Sequence, residues 1–539
     1  MEKNQRILVC AGTGCASTGA HQILVLLQLE IKRQGLEDSV KIVSTGCHGF
    51  CEQGPTVIIE PKQTLYTRVK LEDVAEIVAS VKEGKLVERL LYVNPLTKKQ
   101  EITFDNTTFM AKQVRVILKN CGFIDPKRIE DYVERGGYKG LENALKKFSP
   151  DEVIEEVKKS GLRGRGGAGF PTGLKWSFCR NSPGNEKYVI CNADEGDPGA
   201  FANRGVLEGD PHSVIEGMII GGYAMGANEG YVYCRAEYPL AIEHIKIGLA
   251  QAEAAGYLGK NILNSGFDFQ VKIRAGAGAY VCGEETALMA SIEGKRGMPI
   301  VRPPFPAQSG LWKKPTNNNN VETWASIPHI LRDGAEVYAQ YGTENSKGTK
   351  IFGLTGMVNN TGLIEVPLGM TLRELIFDIG GGVPNGKLFK GVQVGGPSGA
   401  CLPEEMIDLP LDYDILSKAG AMVGSGGLVV MDETTCMVDI ARFFLSFSQS
   451  ESCGKCTPCR EGTKRLWEIL DRITKGEGKV EDLTTMEDLS LVIKETSLCG
   501  LGQNVTNPVL AALKHFRHEF EAHILEHKCL ANVCLFGKE

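Results

Sequence analysis

Four cysteines near the start of the chain stand as Cys10-x4-Cys15 and Cys47-x3-Cys51, with Gly12, Gly14, Gly46, Gly49 and Gly54 around them. Four thiolates on two loops can close around two sulfide-bridged irons, and the glycines let backbone amides approach the sulfurs. A structural zinc site and free thiols are the competing readings. Near the other end, Cys453-x2-Cys456-x2-Cys459 is followed forty residues later by Cys499, in Ser497-Leu498-Cys499-Gly500-Leu501-Gly502. Three closely spaced thiolates and one distant one suit the corners of a 4Fe–4S cubane, with zinc again the alternative.

A glycine-rich run occupies the middle of the chain: Arg163, Gly164, Arg165, Gly166, Gly167, Ala168, Gly169 and Phe170. Its Gly-x-Gly-x-x-Gly spacing resembles a dinucleotide fingerprint, but that fingerprint needs an apolar strand before it and a helix after it. Here the charged segment Asp151–Lys159 precedes the glycines and Pro171 follows them. A loop packed against a flat ring or a phosphate, with Arg163, Arg165 and Lys175 supplying charge, fits better; a merely flexible loop is the alternative. Beyond it, Asn192, Asp194 and Glu195 follow an apolar strand, Tyr280 and Gly283 precede Glu284 and Glu285, and Asn319 and Asn320 pair two amides. Each group alone reads as a helix cap or turn. Together they could hold ribityl, ribose and nicotinamide amide groups.

The elements that must position these residues follow from periodicity. Arg6–Cys10, Ser39–Ser44 and Thr56–Glu60 read as strands, and Ala20–Gln34 and Leu71–Val81 as helices, of a small α/β domain over 1–90. A polar linker over 91–110 leads to an α/β sheet domain over 111–335, with strands at Lys187–Cys191, Tyr231–Arg235 and Val271–Ala275. Residues 336–425 read as a compact β-grasp module around a helix at Thr371–Ile379. Residues 426–539 read as helical, with Met437–Phe447, Thr463–Thr474, Thr485–Lys494 and Pro508–His527.

Composition narrows the class. The chain has 539 residues, 42% hydrophobic and 23% charged, and a net charge of −6. The mild acidity argues against nucleic acid as a partner. No run approaches the roughly 18 apolar residues of a membrane span. No signal-peptide core opens the sequence, so a cytoplasmic location is expected. Seventeen cysteines in a reducing compartment point to metal and redox chemistry rather than disulfides.

The segments Ser160–Trp176, Asn192–Phe201, Tyr280–Ala287, Asn319–Thr323 and Glu451–Gly462 resemble the family of NADH-binding, FMN-carrying subunits that serve respiratory complex I, NAD-linked hydrogenases and NAD-linked formate dehydrogenases. The run Gly46–Pro55 resembles the thioredoxin-like 2Fe–2S ferredoxins. The resemblance implies a multidomain α/β chain: a thioredoxin-like ferredoxin domain, a Rossmann-like FMN domain, a β-grasp module and a C-terminal helical bundle with a 4Fe–4S cluster. It implies that the glycine loop, Lys175, Asn192, Asp194, Tyr280, Gly283, Glu284, Asn319 and Asn320 contact FMN. Phe170, Phe178 and Phe305 would cradle the adenine of NAD(H), with Glu195 and Glu285 on the nicotinamide side and no protein acid or base carrying the hydride transfer.

A 2Fe–2S domain fused to this chain is similar to the beta subunit of electron-bifurcating hydrogenases and ferredoxin-linked transhydrogenases. That likeness implies a small 2Fe–2S subunit and a larger catalytic subunit as partners, ferredoxin at the level of the complex, and flavin-based bifurcation. A plain diaphorase subunit of an NAD-linked hydrogenase or formate dehydrogenase is the alternative. The same relatives often continue into a two-cluster ferredoxin segment, which this sequence lacks. They also suggest a Cys3His zinc site at Cys436, His523, Cys529 and Cys534, with His527 a rival ligand and another iron–sulfur centre or bare thiols as alternatives.

Overall fold

The structure is a computed structural model that describes residues 5–534 and Phe536; residues 1–4 of the expected first domain and 535 and 537–539 of the last lie outside it. The N-terminal domain is built from β1 (Gln5–Cys10), α1 (Ala20–Arg33), β2 (Val40–Thr45), β3 (Val57–Glu60), β4 (Thr64–Tyr66) and α2 (Val74–Glu83). Its sheet runs β2-β1-β3-β4, with β1 parallel to β2 and antiparallel to β3. Ile7 and Val9 point to a core shared with Ile23, Leu27 and Ile77, which is why the alternating pattern is legible.

The expected linker is not a free connector. Tyr92, Phe104 and Phe109 are buried, packing with Phe50 against β-grasp residues such as Phe352 and Ile364, and Tyr92 donates to Asn360 Oδ1 at 2.8 Å. Three aromatics in a polar stretch have more to gain from burial than a spacer would allow.

The next domain contains α3 (Pro150–Lys159), α4 (Thr172–Asn181), β5 (Tyr188–Ala193), α5 (Ala202–Gly209), α6 (Pro211–Met225), β6 (Glu229–Arg235), α7 (Pro239–Ala254), β7 (Gln270–Gly276), α8 (Glu285–Ile292), β8 (Thr316–Asn320) and α9 (Val321–Asp333). Its four strands are all parallel, in the order β8-β5-β6-β7. The chain leaves β5 toward β6 but returns at β8 on the other side. The order therefore reverses at β5, and the crevice at the carboxyl ends of β5 and β8 is the place where such sheets bind ligands.

A five-stranded sheet follows, from β9 (Thr349–Gly356), β10 (Gly362–Pro367), β11 (Phe389–Val394), β12 (Ala400–Pro403) and β13 (Gly427–Asp432), in the order β10-β9-β13-β11-β12. Strand β13 lies beyond the expected boundary at 425 and pairs with both β9 and β11, so the module extends to Asp432. The expected helix at Thr371–Ile379 is a short wide turn over Glu374–Ile379, closed by Gly380 N to Leu375 O at 2.9 Å. The short helix α10 (Tyr413–Lys418) precedes β13.

The last unit holds α11 (Met437–Ser450), α12 (Thr463–Thr474), α13 (Glu481–Thr496), α14 (Asn507–His515) and α15 (Arg517–Leu525). The single helix expected over Pro508–His527 breaks at Phe516, whose backbone leaves helical geometry (φ −127°, ψ 29°). Its ring is buried with Cys401, Met431 and Met437. Among the described residues no helix is long and apolar enough to cross a membrane.

Candidate functional site

The N-terminal cysteines meet at one end of the first sheet. Cys10 ends β1, Cys15 lies in a four-residue helical segment (Thr13–Ala16) after it, and Cys47 and Cys51 follow β2. Crowding sets their acidities apart. Cys47 is held well below the usual thiol range by S–H donors from Cys10 and Cys51, while Cys10 is raised by its bonds to Cys15 and Cys47, and Cys51 by its bond to Cys47. Gly49 N donates to Cys47 Sγ at 3.3 Å. Gly54 has no room for a side chain, since a Cβ there would lie 2.6 Å from Cys15 Sγ. Four converging thiols with a backbone donor fit a 2Fe–2S cluster.

Cys453, Cys456, Cys459 and Cys499 line one cavity together with Val281, Ser452, Leu501 and Gly502. Leu498 N donates to Cys456 Sγ at 3.4 Å, and the Ser452 hydroxyl lies 3.3 Å from Cys459 Sγ. Gly502 is required, because a Cβ there would fall 2.5 Å from Ser497 Cβ. The cavity suits a 4Fe–4S cubane and abuts the segment Tyr280–Gly283 through Val281.

Between the two lies the crevice of the parallel sheet. Asn192 on β5 is paired in register with Asn320 on β8, and Asn192 Nδ2 donates to Gly283 O at 2.9 Å. Asn320 Oδ1 caps α9 through Glu322 N (2.9 Å). Asn319 turns inward, where its amide oxygen, placed to satisfy both ends, accepts from Trp176 Nε1 at 2.9 Å. The glycine loop lies over Asn320, since a Cβ at Gly166 would fall 3.3 Å from Asn320 Cβ. Its other side meets the β-grasp module: a Cβ at Gly167 (φ +121°) would fall 3.3 Å from Gly424, and one at Gly169 would strike the Tyr413 ring at 2.5 Å. Gly164 is tied down by Tyr413 Oη, which donates to its carbonyl at 3.1 Å.

The three cations assigned to this loop do different work. Lys175 Nζ donates to Glu285 Oε2 at 3.1 Å and to the Asn318 carbonyl at 2.8 Å, and Arg302 reaches Glu285 Oε1 at 2.8 Å. Burial alone would raise the Glu285 pKa, but these two cations hold it below the usual carboxylate value. Arg165 is committed within the protein. Its guanidinium is buried and donates to Thr349 O, Lys347 O and Tyr338 Oη, which joins the loop to the β-grasp module. Arg163 is likewise committed, to Gly169 O at 2.6 Å and Asp414 at 3.1 Å.

Glu195, expected on the nicotinamide side, is 5% exposed and faces α5, accepting from Asn203 N (3.0 Å) and Arg204 N (3.1 Å). Two unpaired helix amides outcompete an open pocket for this carboxylate. Glu284 caps α8 through Thr286 N and Ala287 N, the helix-cap reading the sequence allowed. Phe170, Phe178 and Phe305 are about half exposed, and the Phe170 and Phe178 rings sit 6.5 Å apart.

The sequence reading gives no role to Arg235, Asp197 or Glu451, which the structure brings into the site. Arg235, at the end of β6, lies 3.8 Å from Asp194 Oδ1, and burial pushes Asp194 up to about 7. Asp197 accepts from the Ser425 hydroxyl. Glu451, just before the first cubane cysteine, accepts from Tyr280 N at 2.9 Å. Asp194 Oδ2, Asp197 Oδ1 and Arg235 Nη1 are buried atoms without a hydrogen-bond partner among the described residues, as a polar ligand seated in the crevice would require.

The chain matches the Nuo51 FMN-binding domain over 157–329, the NADH-ubiquinone oxidoreductase-F iron–sulfur binding region over 439–523, the SLBB domain over 351–401 and the thioredoxin-like [2Fe-2S] ferredoxin over 2–82. It is 58% identical to NADP-reducing hydrogenase subunit HndC of Solidesulfovibrio fructosivorans, over 79% of this chain and 87% of that one. The chain belongs to the family of FMN and iron–sulfur subunits of NAD(P)H oxidoreductases. An NADH-quinone oxidoreductase subunit of Rhizobium meliloti is a further member, 48% identical over 77% of this chain and 98% of that one. A crystal structure of NAD+-reducing [NiFe]-hydrogenase in the H2-reduced state covers 97% of this chain and 85% of its own, at 30% identity and a TM-score of 0.69. As a family member the chain is an NAD(P)H-oxidising flavin subunit of NAD-linked hydrogenase or complex I type, with FMN, one 2Fe–2S and one 4Fe–4S cluster.

Proposed function

We propose that this chain is the NAD(H)-coupled flavin subunit of a cytoplasmic, multi-subunit complex that bifurcates electrons toward ferredoxin and a second acceptor. One observation carries the reading: two cluster sites approach one crevice by separate elements. The cubane cavity reaches it through Val281 and the Glu451–Tyr280 contact, and the 2Fe–2S loops reach it through α5. Two exits are what splitting an electron pair needs.

FMN would supply the exchange between two-electron hydride chemistry and one-electron cluster chemistry. The glycine loop and Asn192, Asp194, Gly283, Glu284 and Asn320 would hold it, with Lys175 neutralising charge beside it. Phe170, Phe178 and Phe305 would stack on adenine, and Glu285 would receive ribose hydroxyls. Partners of this chain would be a small 2Fe–2S subunit and a larger catalytic subunit. The group Cys436, His523, Cys529 and Cys534 would bind zinc: its ligand atoms lie within 4.8 Å of one another, and His523 Nδ1 bonds the Glu519 carbonyl at 2.7 Å, which leaves Nε2 free to ligate. His527 stands outside that group, bonded to Gly476 O.

The second reading, a plain diaphorase, is favoured by the likeness to an NAD+-reducing [NiFe]-hydrogenase across nearly the whole chain. Anaerobic NADH oxidation by the purified complex separates the two, with oxidised ferredoxin and the second acceptor supplied singly and then together. A requirement for both at once is the bifurcating outcome. Turnover with either alone makes the chain a diaphorase.

A further inference from the structure

The crevice and the N-terminal cysteine site are joined by one short helix. Glu195 holds the first turn of α5 through the Asn203 and Arg204 amides. The last turn grips the N-terminal domain. Glu208 is 2% exposed, and its Oε2 accepts from Thr13 N at 3.0 Å while its other oxygen accepts from the Thr13 hydroxyl. Thr13 lies inside the Cys10–Cys15 loop.

The residue after Glu208 meets the second loop. A Cβ at Gly46, beside Cys47, would fall 2.3 Å from Gly209 Cα, so the two backbones touch. Gly49 closes the same socket, accepting from Leu363 N at 3.0 Å on the β-grasp sheet. A buried carboxylate is costly unless it is well partnered. The nearest cation, Arg204 Nε, stands at 3.9 Å, so Thr13 supplies the hydrogen bonds that make Glu208 tolerable there.

We propose that Glu208 is the latch of the N-terminal domain: it seats both cysteine loops on α5 and makes the 2Fe–2S centre a fixed internal module. A centre held this way exchanges electrons within the chain across that face, not with a diffusing partner. This rests on the flavin reading above, because it gives the centre its place beside the crevice.

The test is Glu208→Gln in the full chain loaded with flavin and both clusters. Glutamine keeps the shape but removes the charge that strengthens both bonds: its one oxygen can accept from Thr13 N, while its NH2 forces the Thr13 hydroxyl to switch from donor to acceptor. Hydrogen exchange is expected to rise at least tenfold in residues 11–18 and 46–54 and to stay as in the parent in the parallel sheet. After rapid mixing with NADH, the reduced 2Fe–2S electron-resonance signal should form at least tenfold more slowly, while the cubane signal keeps its rate. Thr13→Val should shift both readouts the same way, and it carries the test if the glutamine variant fails to fold. Loops as protected as in the parent, or exchange rising equally throughout, would overturn the latch. Failure of the flavin reading shows separately, as a parent protein that NADH does not bleach.

Discussion

Lys350 and Glu322 form a 2.6 Å ion pair with neither side chain reaching solvent. Lys350 sits on β9 and Glu322 in the first turn of α9, so the pair fastens the β-grasp module to the domain that carries the crevice. Glu322 Oε1 also accepts from Ile351 N at 2.8 Å. Removing the lysine leaves the buried carboxylate without its cation. Lys350→Met should destabilise by about 3–5 kcal/mol, and adding Glu322→Gln should restore part of that. Thermal melting of the loaded protein reads both.

Gly196 makes room for Arg235. A Cβ at that position would fall 2.1 Å from Arg235 Nη1 and 2.9 Å from the Tyr280 ring. Gly196→Ala should push the guanidinium away from Asp194, whose pKa, already raised to about 7 by burial, then rises further. The expected outcome is flavin retention falling at least tenfold on dilution, measured by released flavin fluorescence. Retention equal to the parent would show that Arg235 has no part in holding the cofactor.

The contrast between legible and hidden residues is physical. Both cluster sites could be read because metal spacing is a local property: a thiolate set needs its cysteines at short intervals and glycines beside them. Strands β1, β5 and β6 showed in their apolar residues. Strand β8 did not, since its sequence Thr-Asn-Asn-Asn-Asn contradicts strand propensity. It forms because β5 pairs with it in parallel and its amides find buried partners such as Trp176. The roles of Glu208, Arg235 and Glu451 were hidden because their partners, Thr13, Asp194 and Tyr280, lie 41 to 195 residues away. The acceptors of Arg165 were hidden for the same reason, since they lie on a module some 180 residues on.

Asp210 couples stability to pH. It is fully buried, accepts from Asn120 Nδ2 at 2.8 Å and caps α6 through Ser213 N, and burial raises its pKa to about 7. For a carboxylate raised on folding, the folded state binds the proton more tightly, so stability is greatest below the unfolded pKa. It then declines as pH climbs from about 4 to about 7, by up to about 4 kcal/mol. Asp210→Asn removes the ionisation and keeps one of the two acceptor oxygens. Its melting temperature relative to the parent should be higher at pH 8 than at pH 5, and an equal difference at the two pH values would mean that Asp210 ionises in the folded state as freely as in water.

Lys175 holds Glu285 ionised. With Lys175→Met only Arg302 remains beside the carboxylate, and burial pushes its pKa upward. If Glu285 receives ribose hydroxyls as an anion, the acidic limb of the pH profile of kcat/KM for NADH should move to higher pH. KM should rise at least tenfold. An unmoved limb would remove Glu285 from the nicotinamide side.

His523→Ala tests the C-terminal metal. Cys436 Sγ lies 3.5 Å from His523 Nε2 and 3.7 Å from Cys534 Sγ, and Cys436 stands at the N-terminus of α11, the helix that leads into the cubane cysteines. Zinc there would tie the tail to that helix. The variant should lose about one zinc per chain with iron content unchanged, and protease should cut after α15 far faster. Elemental analysis and timed proteolysis report the two effects independently. Zinc absent from the parent, with the tail equally resistant in both proteins, would leave the four residues as a packed cluster held by burial alone.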